Sequence, residues 1–171
     1  IQRHTGQHCA GYLAPALSHS ELTLDLFAEV GTELAGDDAG IYTCDLFHDD
    51  QPTPIHLRSG KAFVSVPYSL EMNDTIAYVV NKVEPRRYGQ MLRDNFDRLY
   101  QEGATSGTVM CIPTHNYQVS CPHRLKAFEE ALEYITGHSE VWVTTGREIA
   151  RHFIDHYHQL CVDDIATRGE R

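Results

Sequence analysis

The sequence lacks any long hydrophobic run and is poor in basic residues. No uncharged apolar stretch approaches the ~20 residues that a transmembrane helix requires, so we expect no membrane partner. Lysine and arginine together number 14, against 24 aspartate and glutamate residues, and the formal net charge is −10. Because such a chain repels a polyphosphate backbone, we also expect no nucleic-acid partner.

Several signatures of catalysis and of nucleotide binding are missing as well. The chain has no G-x-S-x-G motif and no glycine-rich phosphate loop. No serine, cysteine or lysine stands in a recognisable nucleophile setting. Histidine and carboxylate side chains are therefore the candidates for any catalytic role.

Cysteine pairs of the kind found in metal ribbons and redox motifs are absent. The five cysteines are odd in number and widely spaced, and none forms a C-x-x-C pair. This usage favours reduced thiols over a disulfide framework, so we expect a cytoplasmic location. The residues are Cys9, Cys44, Cys111, Cys121 and Cys161.

The chain also lacks an initiating methionine and a signal peptide. It begins at Ile1, and the stretch IQRHTGQHCAG has neither an apolar core nor a cleavage site. We expect either a processed chain or a fragment of a longer protein, and we favour the fragment.

What the sequence does contain is an alternation of helices and short strands. Helices are predicted from Ser20 to Gly31, from Pro85 to Gly103, from Ser120 to Gly137, and after a capping box at Thr145 and Glu148. Strands are predicted at 41–44, 61–69, 107–113 and 140–143, and residues 74–83 are ambiguous.

This alternation is typical of an α/β fold with a parallel sheet. About four strands amount to half of a (β/α) barrel, since a complete barrel needs about 250 residues. We predict one partial barrel domain over residues 1–160 and a C-terminal tail over residues 161–171. Because half a barrel leaves unpaired strand edges, we expect a homo-oligomer.

Several motifs, in order, resemble a known family. They are Val66-Pro67-Tyr68 with Glu71, Asn73 and Asp74; His115 and Arg124; His138 with Val141-Trp142-Val143; and Arg147 through His152. Together they resemble the C-terminal half of polysaccharide deacetylase-like hydrolases with the NodB-homology fold, and most closely the allantoinase and cyclic imide hydrolase branch. The resemblance implies the C-terminal part of a distorted (β/α) barrel.

The chain departs from that family in three places. An arginine commonly precedes the A-P or S-P dipeptide, where it clamps a catalytic carboxylate, but this chain has Leu13 there. The aspartate pair after the first strand and the H-x-x-x-H metal motif have no counterpart in the expected place. The family allows a divalent metal as cofactor, but the ligands for it are not present in this chain. The cofactor is therefore unknown.

The candidate site residues follow predicted strands, at the end where parallel barrels place catalytic groups. We predict His115 as the catalytic acid, because an imidazole can protonate a leaving nitrogen near neutral pH. Glu71, Asn73 and Asp74 are predicted to bind substrate or orient the histidine. The alternatives are a loop histidine that bonds only backbone and solvent, a helix cap at Asp74 and a turn at Asn73.

Another histidine pair has metal-ligand spacing. His152 and His156 are four residues apart on a predicted helix and could chelate a metal ion. The favoured interpretation is a solvated helix face, because the family places its metal motif elsewhere, so we predict no metal site in this chain.

Two functions are consistent with these patterns. The first is a hydrolase of non-peptide carbon–nitrogen bonds, acting on an amide, a cyclic amide or imide, or an N-acetyl sugar. Its partner is then a small-molecule or saccharide substrate. The second is a non-catalytic binding or assembly module with the same fold, which Leu13 and the missing acid and metal motifs favour.

Overall fold

A computed structural model describes residues 1–169 of the chain, in two compact units. Unit 1 contains Ile1–Pro67 together with the residues from 144 onward, and unit 2 is Tyr68–Val143. The described residues form seven α-helices: α1 Gln2–Thr5, α2 Thr23–Ala35, α3 Pro85–Glu102, α4 Asn116–Val119, α5 Pro122–Thr136, α6 Gly146–His156 and α7 His158–Gly169. None of these helices is long and apolar enough to span a membrane.

Unit 1 contains a four-stranded sheet whose strands pair over two residues each. The strands are β1 Gly11–Tyr12, β2 Tyr42–Thr43, β3 Thr53–Pro54 and β4 Val64–Ser65, in the order β1-β2-β4-β3. The pairs β1–β2 and β2–β4 are parallel, and β3 joins β4 antiparallel. The predicted α/β class with a mainly parallel sheet is therefore confirmed.

The core of unit 1 lies against this sheet. One cluster joins Ile41, Val64 and Val66 from the strand segments to Ala150 and Phe153 of α6. A second cluster contains Ala28, Leu57 and Phe63, against which Leu24 and Phe27 of α2 pack. The predicted capping box opens α6, because Thr145 and Glu148 each bond the other's backbone N–H.

Unit 2 is built around the packing of α3 against α5. Helical spacing in the sequence predicts an apolar stripe on α3 at Tyr88, Leu92, Phe96 and Leu99. All four residues are buried, at 5% exposure or less. Among the described residues, short 3₁₀ turns lie at Pro15–Leu17 and Gly36–Asp38 in unit 1 and at Leu70–Met72 in unit 2. The ambiguous stretch contains a π-helix, Ile76–Val80.

The prediction for α2 was wrong at its end and in its buried face. The helix continues past Gly31, where a Cβ atom would lie 2.8 Å from the backbone nitrogen of Gly40. Glycine is therefore needed there for close approach, not to stop the helix. The sequence spacing predicts one apolar face at Leu22, Leu26, Phe27 and Val30. Of these only Phe27 packs against the core, together with Leu24 and Ala28, and the other three are exposed.

Two predicted strands and one predicted helix also differ from the structure. Residues 107–113 and 140–143 form no strand ladder with any described residue. Without hydrogen bonds to a neighbouring strand, an extended segment is not part of a sheet. The last helix breaks at Tyr157 into α6 and α7. Most of the predicted tail 161–171 is helical, and residues 170 and 171 lie outside the described residues.

The contact between α3 and α5 yields a test of this packing. A Cβ atom on Gly89 would lie 2.7 Å from the carbonyl oxygen of Ala127, so a side chain there must separate the two helices. We expect Gly89→Ala to lower the free energy of unfolding by about 1–3 kcal/mol, measured by urea denaturation. Gly107→Ala is the control, because a Cβ atom on Gly107 would meet no atom within 4 Å. Equal stability of the two variants would contradict the close helix contact.

Candidate functional site

Asp74 is the buried centre of the candidate site in unit 2. It lies just after the helical turn Leu70–Met72 and has 0% exposure. Its backbone N–H donates a hydrogen bond to the carbonyl of Pro113 at 3.1 Å. Because Pro113 is two residues before His115, this bond brings the carboxylate to the predicted catalytic histidine.

The Asp74 carboxylate holds His115 at two points. Oδ1 lies 2.6 Å from the ring nitrogen Nδ1 of His115, and Oδ2 accepts the backbone N–H of His115 at 2.7 Å. A carboxylate can only accept hydrogen bonds, so Nδ1 carries the hydrogen in this arrangement. The His115 side chain is 37% exposed, which leaves Nε2, on the other edge of the ring, available to a ligand.

Asn73 and Thr75 complete the local hydrogen-bond network. Thr75 Oγ1 lies 3.1 Å from His115 Nδ1. Asn73 is buried; its Oδ1 accepts the backbone N–H groups of Thr75 and Ile76, and its Nδ2 donates to the hydroxyl of Tyr68. Asn73, not Asp74, therefore caps the helical turn that follows, while Asp74 orients the histidine.

Glu71 is placed differently from its neighbours in the predicted set. Its side chain is exposed and takes no part in the hydrogen bonds that join Asp74 to His115. The structure thus brings Asp74 and His115 into contact, uses Asn73 to shape the turn beside them, and leaves Glu71 facing solvent. The assignment of Glu71, Asn73 and Asp74 to substrate binding stays a prediction.

Arg124 braces the loop that presents His115. It donates to the Gln118 carbonyl oxygen at 3.2 Å and to Gln118 Oε1 at 2.7 Å, and its guanidinium lies 4.3 Å from the ring centre of Tyr78. Burial, aided by the charge of Asp74, raises the pKa of Tyr78 to about 12, although Arg124 opposes the shift. The Tyr78 hydroxyl therefore stays neutral near pH 7. Sequence reasoning identified Arg124 by resemblance but missed its contact with Tyr78.

Unit 1 contains a second aspartate–histidine pair that sequence reasoning missed. Asp45 is buried, follows β2, and accepts the backbone N–H of Ala14 at 2.7 Å through Oδ1. Its Oδ2 lies 3.3 Å from His19 Nδ1, close enough for an ion pair but not aligned for a hydrogen bond. The position of Asp45 after a strand was a usable signal, but His19 is far from it in sequence. Leu13, the departure from the family pattern, is exposed.

The residues that the structure describes do not fit a metal centre. Among them, no group of three or more histidine, cysteine, aspartate or glutamate side chains could hold an ion. His156 Nδ1 lies 2.8 Å from the carbonyl oxygen of His152, so that nitrogen is engaged with the helix backbone. Residues 1–169 thus offer no such ligand group for the divalent metal that the resemblance allows.

Known proteins share this architecture over about half of their length. No protein-family model matches the chain. A peptidoglycan deacetylase from Helicobacter pylori is 26% identical over 186 residues, covering 90% of this chain and 60% of that protein. An allantoinase structure aligns with a TM-score of 0.78 and 28% identity, covering 91% of this chain and 49% of that one. A structure described as a probable polysaccharide deacetylase from Pseudomonas aeruginosa PAO1 aligns with a TM-score of 0.77 and 29% identity, covering 91% and 50%.

The two hydrogen bonds of Asp74 yield a test of the site geometry. Asp74→Asn removes the negative charge and one acceptor, so the backbone N–H or the ring Nδ1–H of His115 loses its bond. We expect stability to fall by about 1–3 kcal/mol, since the lost partner leaves a polar group unpaired. We also expect ¹⁵N NMR of the wild type to show neutral His115 protonated at Nδ1, and the variant to lose this preference. Thr75→Val is the control, and loss of the preference in that variant alone would assign the tautomer to Thr75.

Proposed function

We propose that this chain takes part in the hydrolysis of non-peptide carbon–nitrogen bonds. The proposal starts from its NodB-like polysaccharide deacetylase fold. The predicted NodB-type fold is confirmed by these structures, and the chain spans about half the length of the proteins that it resembles. The observation that supports the activity is the contact of the buried Asp74 carboxylate with Nδ1 of His115. The substrate class is an amide, a cyclic amide or imide, or an N-acetyl sugar.

In this mechanism His115 is the general acid. Its protonated ring gives the Nε2 hydrogen to the nitrogen that leaves as the carbon–nitrogen bond breaks. The Asp74 carboxylate fixes the ring through Nδ1 and stabilises the imidazolium form before the proton moves. The carboxylate that activates the attacking water belongs to the half of the relatives that this chain does not span.

The role of His115 is tested by its removal from the full-length protein. We expect His115→Ala to lower turnover by about 10²–10⁴-fold on a substrate chosen from allantoin, a cyclic imide or an N-acetylated oligosaccharide, because the leaving nitrogen then departs unprotonated. Steady-state kinetics measure the loss, and circular dichroism checks that the fold is kept. The control is His56→Ala, since His56 is exposed in unit 1. Turnover unchanged by His115→Ala would remove His115 from the mechanism.

We further propose that the protein is a cytoplasmic homo-oligomer. The location is supported by the five cysteines, all within residues 1–169, none of which forms a disulfide bond. The oligomer is supported by exposed apolar side chains at Leu22, just before α2, and at Leu26, Val30 and Leu34 of α2. The edge strands β1 and β3 of the sheet support it as well.

Light scattering tests the oligomer directly. We expect a mass at least twice that of the chain, because a second copy can cover the apolar side chains and strand edges. We also expect Leu26→Lys with Val30→Lys to reduce the mass, whereas Glu29→Lys on the same helix should not. A monomer at all concentrations would contradict the proposal.

A further inference from the structure

A groove of about 590 Å³ runs along the contact between α3 and α5 in unit 2. Its lining residues come from the N-terminal half of α3 and from residues 122–130 of α5. The close approach of Gly89 to Ala127 joins the two helices within it. Its volume lies in the range of ~300–1,000 Å³ that is typical of small-molecule sites. His115 and Asp74 do not line it, so it is separate from the candidate active site in its residues.

The charge of this groove is opposite to that of the chain. Arg86, Arg93 and Lys126 line it together with His123, and Glu130 is its one carboxylate. The chain as a whole carries a formal charge of −10. Three permanent cations gathered against a single acid repel one another and attract anions, because a concave surface of one sign concentrates the electric field.

Protein carboxylates neutralise little of this positive charge. Lys126 and Glu130 are 3.8 Å apart at exposed positions, where an ion pair contributes little. Arg86 makes no ion pair with any residue that the structure describes. The Arg93 guanidinium donates to the carbonyl oxygen of Glu130 at 2.9 Å and lies 5.2 Å from the ring centre of Tyr134. These contacts hold Arg93 in place while leaving its charge without a carboxylate partner.

The backbone adds hydrogen-bond donors to the same groove. Both helices begin there with proline, at Pro85 and Pro122, and neither has a side-chain cap. The backbone N–H groups of Arg86 and His123 accordingly have no acceptor among residues 1–169. The positive ends of two helix dipoles thus add to the side-chain charges already described.

We propose that this groove binds a small molecule bearing a phosphoryl group, such as a phosphate ester or a pyrophosphate. Guanidinium groups donate in a fork that fits phosphate oxygens, and a tetrahedral phosphate accepts bonds from several directions at once. The donors come from two helices on opposite sides of the groove, which suits a tetrahedral anion better than a planar carboxylate. Arg93 and Arg86 contribute the guanidinium groups from α3, and Lys126 and His123 contribute donors from α5.

Calorimetric titration of the full-length protein with inorganic pyrophosphate tests the site. We expect one saturable site whose affinity falls as salt is added, and we expect citrate, a carboxylate anion of similar charge, to bind at least about tenfold more weakly. Arg86→Gln and Arg93→Gln should each weaken pyrophosphate binding by about tenfold, as the loss of a charged hydrogen bond predicts.

Arg87→Gln is the matched control, since Arg87 is next to Arg86 on α3, faces Asp94 and does not line the groove. It should leave affinity within about twofold of the wild type. Equal weakening by Arg86→Gln and Arg87→Gln would reduce the binding to general charge attraction and overturn the site. Absence of saturable binding, or tighter binding of citrate, would overturn the phosphoryl assignment. Thermal melts of each variant separate lost binding from lost folding.

Discussion

Burying a polar group is costly unless the group is hydrogen-bonded, and both carboxylate oxygens of the buried Asp74 bond His115. Both oxygens bond the same residue, one at the backbone and one at the ring. The segment that contains His115 pairs with no strand among the described residues, so backbone ladders do not hold it in place. The Asp74 side chain and the bond from its backbone to Pro113 do so instead. The position of this loop and the orientation and tautomer of the His115 ring therefore depend on one buried carboxylate, that of Asp74.

The second aspartate–histidine pair shows how much geometry matters for such a role. Asp45 and His19 have the same chemistry as Asp74 and His115, and Asp45 is equally well buried. Their closest atoms, however, are 3.3 Å apart and poorly aligned, whereas those of the other pair are 2.6 Å apart. Only His115 is held at both backbone and ring, which is the preorganisation that an acid catalyst requires.

Charge is distributed unevenly over this acidic chain. Carboxylates are spread over most of the sequence, while the groove between α3 and α5 collects cations and uncapped helix N-termini. Stability alone does not explain this arrangement, because like charges placed together oppose folding. A bound anion would remove the repulsion, which is why the groove is more consistent with a binding role than with a structural one.

Local patterns in the sequence determined a large part of this structure. The four apolar residues of α3 recur at helical spacing, the capping box of α6 lies within four residues, and motifs in order predicted the NodB-type fold and the position of His115. Each of these depends on near neighbours along the chain. Tertiary structure alone decided that Asp74 reaches across forty-one residues to His115, that Asn73 caps the turn, and that Gly31 allows the close approach of α2 to Gly40. It also decided which face of α2 is buried and that residues 107–113 pair with no strand within residues 1–169. Such outcomes depend on what lies opposite a residue in space, and the spacing of residues along the chain does not contain that information.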